Sequence, residues 1–390
     1  MLLAGCVTPT SPAPRVVTAG LSPAQAERAT RNLRVFDSVW DTVNRRYYDP
    51  KLHGVDWVAA ARTYGPKAAA SGDDTSLYEA INGMLGLLAD GHTGALSPAQ
   101  ARDYRAQKRE MTGFRIVRVD QRWAVDEVLP GSPAEAAGVQ RGWVVISRDG
   151  LLLDERLKLP VLHGGEVVRW EFLDARDRPV ALTLTAGSVS MARQEMQSLP
   201  GGILLFRFDD FDWSKMHWLS SELKAHPSAP GVIIDLRHNP GGTLISLDFM
   251  VGEFFDHDFT YAFSVDRDGN RRNHKALVLA SAHYHGRIAV LVNQASGSAA
   301  ELFAAVLQEQ RRAIVIGRKT AGVVLSAEFR SLGDGGMLEY SDRDLRLADG
   351  RRLEGTGVIP DVVPPPLSLD DLRGGRDPEL DAALRVLNQP

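Results

Sequence analysis

Two stretches of this chain share one grammar, and together they limit the fold more than any other feature. "GVIIDLRHNPGG" (231–242) and "RIAVLVNQASGS" (287–298) are each a short, unbroken apolar run followed by a tight turn containing glycine, and each leads into a helical pattern. Continuous apolar runs of this length belong to strands covered on both faces, and alternation of such strands with helices predicts an α/β core with a largely parallel sheet. The alternation extends from residue 191 to about 366, with a further strand at 312–317. In such sheets the loops leaving the carboxyl ends of the strands share one edge, where ligands bind. Gly241, Gly242 and Ser298 are therefore expected to meet there.

Ser298 itself reads in two ways. With Glu301 three positions later it fits a capping box, in which each side chain satisfies a free backbone N–H at the helix start. The same strand-to-helix elbow also suits a nucleophile, because the serine is exposed and the free N–H groups of the helix lie beside it for an oxyanion.

Around this core the chain changes character. Helical periodicity runs over 26–45, 57–64 and 77–88. It ends in "LADGHTGAL" (88–96), where Gly91 is expected to close the last helix in a left-handed turn, with His92 just beyond it. Short β-rich pieces follow over 101–190. The expected division is a tether (1–21), a helical domain (22–100), a β-rich domain (101–190), the α/β core (191–366) and a C-terminal tail (367–390) with a short helix near its end.

Composition removes several classes of function. A net charge of −4 without a long basic run gives no footprint for nucleic acid. The single cysteine, Cys6, excludes a disulfide framework within the chain and a cysteine zinc cluster. His283 and His285 have the spacing of a metal pair on a strand face, but no third ligand is evident and there is no His-Glu-x-x-His, so no metal and no cofactor are expected.

Several segments resemble known families. "VLPGSPAEAAGVQRGWVVISRDG" (128–150) resembles the PDZ pattern of strand, short helix, strand and turn. That implies capture of an extended peptide by strand addition, with Gly113 and Phe114 in the backbone nest for its terminal carboxylate. Leu2-Leu-Ala-Gly-Cys6, followed by a stretch rich in Pro, Thr and Ser, resembles a bacterial lipobox. It implies acylation of Cys6 and a membrane anchor facing the periplasm. "LADGHTGAL", the PDZ-like insert, "GVIIDLRHNPGG" and "VLVNQASGSAAE" (290–301), with the helical segment 36–57, together resemble the carboxy-terminal processing (tail-specific) and tricorn-type serine peptidases. Those share an α/β core of the crotonase and ClpP type.

The resemblance implies hydrolysis of peptide bonds with Ser298 as nucleophile. The processing peptidases carry a lysine base in the segment that here reads "GRKTAGVVL" (317–325), where Val323 occupies the lysine position and Lys319 is an off-register alternative. Valine cannot accept a proton. His92, in a motif similar to that of the tricorn branch, is the expected base, and Glu354 in "LEGTGVIPDV" (353–362) is the expected acidic partner. Gly91 stands where that branch has a relay serine. The oxyanion hole would combine the Ala299 N–H with that of Gly241 or Gly242. Two other readings stay open: a non-catalytic peptide-binding scaffold that keeps the fold, and a carrier of apolar ligands, which would need a closed apolar cavity at the catalytic edge.

Overall fold

The computed structural model describes residues 21–153, 161–279 and 283–389; Cys6 and the anchor expected on it lie outside them. The core sheet runs Gln194–Ser198, Leu204–Phe208, Gly231–Asp235, Arg287–Val292, Ile314–Gly317. The last four strands are parallel and the first is antiparallel to its neighbour. All five residues of Gly231–Asp235 are buried, as a strand covered on both faces requires.

The pleat divides the apolar residues of each strand between two layers. Ile234 and Val290 face Met216, Leu247 and Phe303 from the helices Trp213–Ala225, Leu244–Gly252 and Ala299–Glu309. Ile233 and Leu291 face the opposite way, onto Ala382, Ala383 and Leu387 of the helix Pro378–Asn388. The helix Pro378–Asn388 therefore covers one face of the core sheet rather than trailing from it. Arg237, bound to Asp235 at the end of its strand, fixes that helix through Asp377 (2.8 Å) and Glu379 (3.1 Å).

The N-terminal helices Pro23–Arg46, Trp57–Ala70 and Asp74–Leu85 match the periodicity, except that the second continues through Pro66. A second sheet ties them to the core. The strand Gly94–Leu96 pairs with Met337–Leu347, whose Leu338 and Tyr340 pack among Trp40, Ile81 and Met84. One local expectation fails. The left-handed residue after the last helical turn is Ala89 (φ 52°, ψ 37°), not Gly91, whose backbone lies outside that region.

The β-rich domain is an antiparallel sheet in the order Phe114–Val119, Arg122–Val128, Val144–Arg148, Val167–Leu173, Pro179–Thr185. Phe114–Val119 is its edge strand, with one row of backbone groups unpaired within the sheet. The helix Leu369–Arg373 packs on the domain, with Leu369 and Leu372 against Val119, Ala124 and Val144.

Candidate active site

Ser298 lies at the elbow between the strand Arg287–Val292 and the helix Ala299–Glu309, at φ 52° and ψ −119°. A non-glycine residue in such backbone costs of order 1–3 kcal/mol and persists only where its surroundings hold it. Here the Ser298 N–H donates to the Val323 carbonyl (2.8 Å) and to Glu301 Oε2 (3.1 Å). The Glu301 arm of the capping box is thus present, and it reaches further. Fully buried, Glu301 also accepts from the N–H groups of Gly322 (2.7 Å) and Val323 (2.9 Å) and from the Thr320 hydroxyl. The result is an accessible serine between buried Gly297 and Ala299.

The glycine turn at 241–242 closes against this elbow. A Cβ on Gly241 (φ 117°) would sit 2.5 Å from Ser298 Cβ and 2.9 Å from the Ala299 nitrogen, so only glycine permits the approach. The Gly241 N–H is already engaged by Asn239 Oδ1 at 2.9 Å. That leaves Gly242 and Ala299 as the better-placed donors for an oxyanion. A Cβ on Gly242 would meet Asp210 Oδ1 at 2.2 Å; burial, with Asp212 and Asp209 nearby, pushes the Asp210 carboxyl up to about 6.

His92 lies on a neighbouring loop. Its Nδ1 is buried and, among the described residues, has no hydrogen-bond partner. Burial pulls the imidazole below its ordinary value, opposed by the negative charge of Asp90. The loop carrying it abuts the loop that holds Ser298, because a Cβ on Gly91 would lie 2.5 Å from Val323 Cγ1 and 2.9 Å from Cγ2. Valine at the expected lysine position and glycine at the expected serine position are therefore one packing contact. Gly91→Ala forces the loops apart at an overpacking cost of about 1–3 kcal/mol, and a shift of this size lowers kcat/KM about 10²-fold. Val323→Ala removes both γ-carbons, so the double variant is expected to regain most of that loss. Measured kcat/KM values for the four proteins that multiply independently sink the pairing.

The remaining expected residues are placed as follows. Glu354 Oε2 accepts from the Val324 N–H at 2.6 Å, and burial raises its carboxyl. It thus stands beside the Val323 loop, but among the described residues no hydrogen bond joins the His92 ring to it or to Ser298. Lys319 is exposed, while its neighbour Thr320 turns inward to Glu301. Gly113 (φ 96°) is pressed on Ser132, whose hydroxyl donates to the Gly113 carbonyl at 3.1 Å. Phe114 is a core residue, edge-on to Trp170 with centroids 4.9 Å apart, so any ligand would meet its backbone. His285 is exposed and 3.6 Å from Asp256, and among the described residues no cluster of three metal-ligating side chains exists.

A cavity of about 890 Å³ opens between the edge strand and the carboxyl ends of the core strands. Val117, Asp126, Arg193, Arg237, His238 and Asn293 are among its walls. Ser298 is not, so the cavity adjoins the elbow through the 238–242 loop rather than containing it.

Two residues that sequence reasoning passed over hold the site. Asp90 is one, and its Asx turn to the His92 N–H (2.8 Å) is a local signal that could have been read. Thr320 is the other: it donates to Glu301 and accepts from the Val358 N–H (2.6 Å), and no sequence signal marks it.

This architecture has close parallels. The model described as Peptidase family S41 matches residues 202–363, and the Tricorn protease C1 domain matches 30–86. A carboxyl-terminal-processing protease of Synechocystis sp. is 28% identical over 371 residues, covering 89% of this chain and 85% of that protein. Another, from Picosynechococcus sp., is 26% identical over 378 residues, covering 90% and 88%. Among solved structures, the photosystem II D1 C-terminal processing protease superposes with a TM-score of 0.60 at 23% identity, over 92% of this chain and 97% of that one. Mature CPAF complexed with lactacystin gives 0.66 at 12%, over 93% and 98%. With this core, this helical region and these relatives, the chain carries a Peptidase family S41 domain and a Tricorn protease C1 domain, and is a serine-type peptidase with carboxyl-terminal-processing proteases as relatives.

Proposed function

We propose that the chain is an endopeptidase in which Ser298 is the nucleophile, His92 the general base and then acid, and Glu354 the carboxylate that orients the imidazole. The observation that carries this reading is the backbone of Ser298: a strained, accessible serine at a helix start, fixed by two hydrogen bonds and faced by a glycine turn. Oγ attacks the scissile carbonyl carbon as His92 takes its proton, and the oxyanion accepts from the N–H groups of Ala299 and Gly242. His92 then gives the proton to the leaving amine, and water repeats the sequence on the acyl-enzyme. A base must be neutral to act, and the burial that lowers the His92 pKa keeps it so at neutral pH.

The substrates are protein or peptide segments entered in extended form. The edge strand Phe114–Val119 offers strand addition, and the cavity beside it leads toward the 238–242 loop. The relatives named for carboxyl-terminal processing support C-terminal segments as the substrate class. Acylation at Cys6 would place the enzyme at the bacterial cell envelope, facing the periplasm.

One observation favours the competing scaffold reading: His92 Nδ1 is bare while Glu354 is occupied by the Val324 N–H. A serine-directed fluorophosphonate discriminates. The catalytic reading expects a single label, located at Ser298 by peptide mass mapping and lost in His92→Ala. An unlabelled protein that still binds peptide tails would establish the scaffold.

A further inference from the structure

The turn that carries His92 is built around one carboxylate that belongs to neither expected role. Asp90 Oδ1 accepts from the His92 N–H (2.8 Å) and the Ser341 hydroxyl (3.2 Å), and Oδ2 from the Tyr47 hydroxyl (2.6 Å) and the Thr93 hydroxyl (2.8 Å). An ionised carboxylate offers about four acceptor positions, and here all are filled. The donors come from the end of the first helix, from the turn itself and from the strand Met337–Leu347, so the turn is closed on itself and fixed to two other elements. Thr93 Oγ1 also accepts from the Ser341 N–H at 3.2 Å, which commits its proton to Asp90.

We propose that Asp90 is the positioning residue of the base: it holds the turn in the conformation that presents His92, and its charge, rather than that of Glu354, stabilises the imidazolium formed during catalysis. The proposal rests on the Ser298–His92 reading. Among the described residues His92 Nδ1 finds no hydrogen-bond partner, and the hydrogen bond that Glu354 Oε2 accepts comes from the Val324 N–H rather than from the imidazole. The negative charge of Asp90 opposes the effect of burial at His92. Other titratable groups around it do not compete. Tyr47 and Tyr48 are pushed up and stay neutral donors. Glu339, from Met337–Leu347, is pushed up to about 7 by burial and by Asp90, so it is protonated through the acid range. Glu354 is raised by burial and senses Asp90 and Glu301 as well as Arg352.

The test uses the full chain and two readouts, kcat/KM against pH and the titration of the His92 imidazole by NMR. Removing the negative charge leaves burial unopposed. Asp90→Asn is therefore expected to move the acid limb and the imidazole titration to lower pH and to reduce kcat about 10²-fold with little change in KM. Tyr47→Phe keeps the carboxylate but strips its shortest hydrogen bond, so the His92 titration is expected to stay or move to higher pH. A merely loosened turn would shift both variants alike. An unmoved His92 titration in Asp90→Asn, or a downward shift in Tyr47→Phe, overturns the proposal, as does a titration that follows Glu354→Gln instead. If Asp90→Asn does not fold, the Tyr47→Phe and Glu354→Gln titrations still decide. The underlying reading fails separately, if His92→Ala or Ser298→Ala cleaves as well as the parent.

Discussion

Ser298→Ala and Ser298→Gly are both expected to lose activity, by about 10⁴-fold or more in kcat, and to separate in stability. The loss follows from chemistry, since neither replacement carries an oxygen to attack a carbonyl. The separation follows from the backbone. At φ 52° and ψ −119° any Cβ is strained, so alanine keeps the strain that serine bears, whereas glycine releases it. The release of about 1–3 kcal/mol is partly offset by the greater entropy of an unfolded glycine, about 0.5–1 kcal/mol. Glycine should therefore exceed alanine by about 1 kcal/mol in denaturant unfolding, with the slope of the transition unchanged. A glycine variant no more stable than the alanine one would mean that the elbow is not strained. Cleavage surviving in both, with clean preparations, would move the nucleophile elsewhere.

That strain was not readable in the sequence, although its position was. The two apolar runs with glycine turns revealed the parallel strands, the elbow and the shared edge, because buried strands and turn residues are local signals. Ser298, Ala299 and Gly241 accordingly meet. What could not be read depends on residues far apart in the chain. Asp90 is 43 residues from Tyr47 and 251 from Ser341. Gly91 looked like a helix terminator because glycine commonly ends helices. Its real constraint is the side chain of Val323, which no local pattern reveals. The apolar stripe of the C-terminal helix finds its partner in the rear face of the core sheet, a pairing that no local pattern reveals.

The second large effect is expected at Glu301, the counterpart of Asp90 on the nucleophile side. Its carboxylate takes the Ser298, Val323 and Gly322 N–H groups and the Thr320 hydroxyl, four donors on four acceptor positions, with no exposure to water. Glu301→Ala strands all four donors. An unsatisfied buried donor costs about 1–3 kcal/mol, and water entering the vacated space recovers part of that, so a loss of about 3–5 kcal/mol is expected. Glu301→Gln keeps the volume but places an N–H₂ where two donors need an acceptor, and should still lose about 2 kcal/mol. Both changes free the 320–323 loop and remove one of the two bonds that hold Ser298 in its strained backbone, so fluorophosphonate labelling at Ser298 should slow by more than the fraction unfolded explains. Thr320→Val separates the loop from the elbow, since it orphans the Val358 N–H while leaving the Ser298 bond intact. It should lower stability by about 1–2 kcal/mol and leave labelling nearly unchanged. If instead Thr320→Val slows labelling as much as Glu301→Gln does, the serine is held by the loop as a whole and not by its own bond to Glu301.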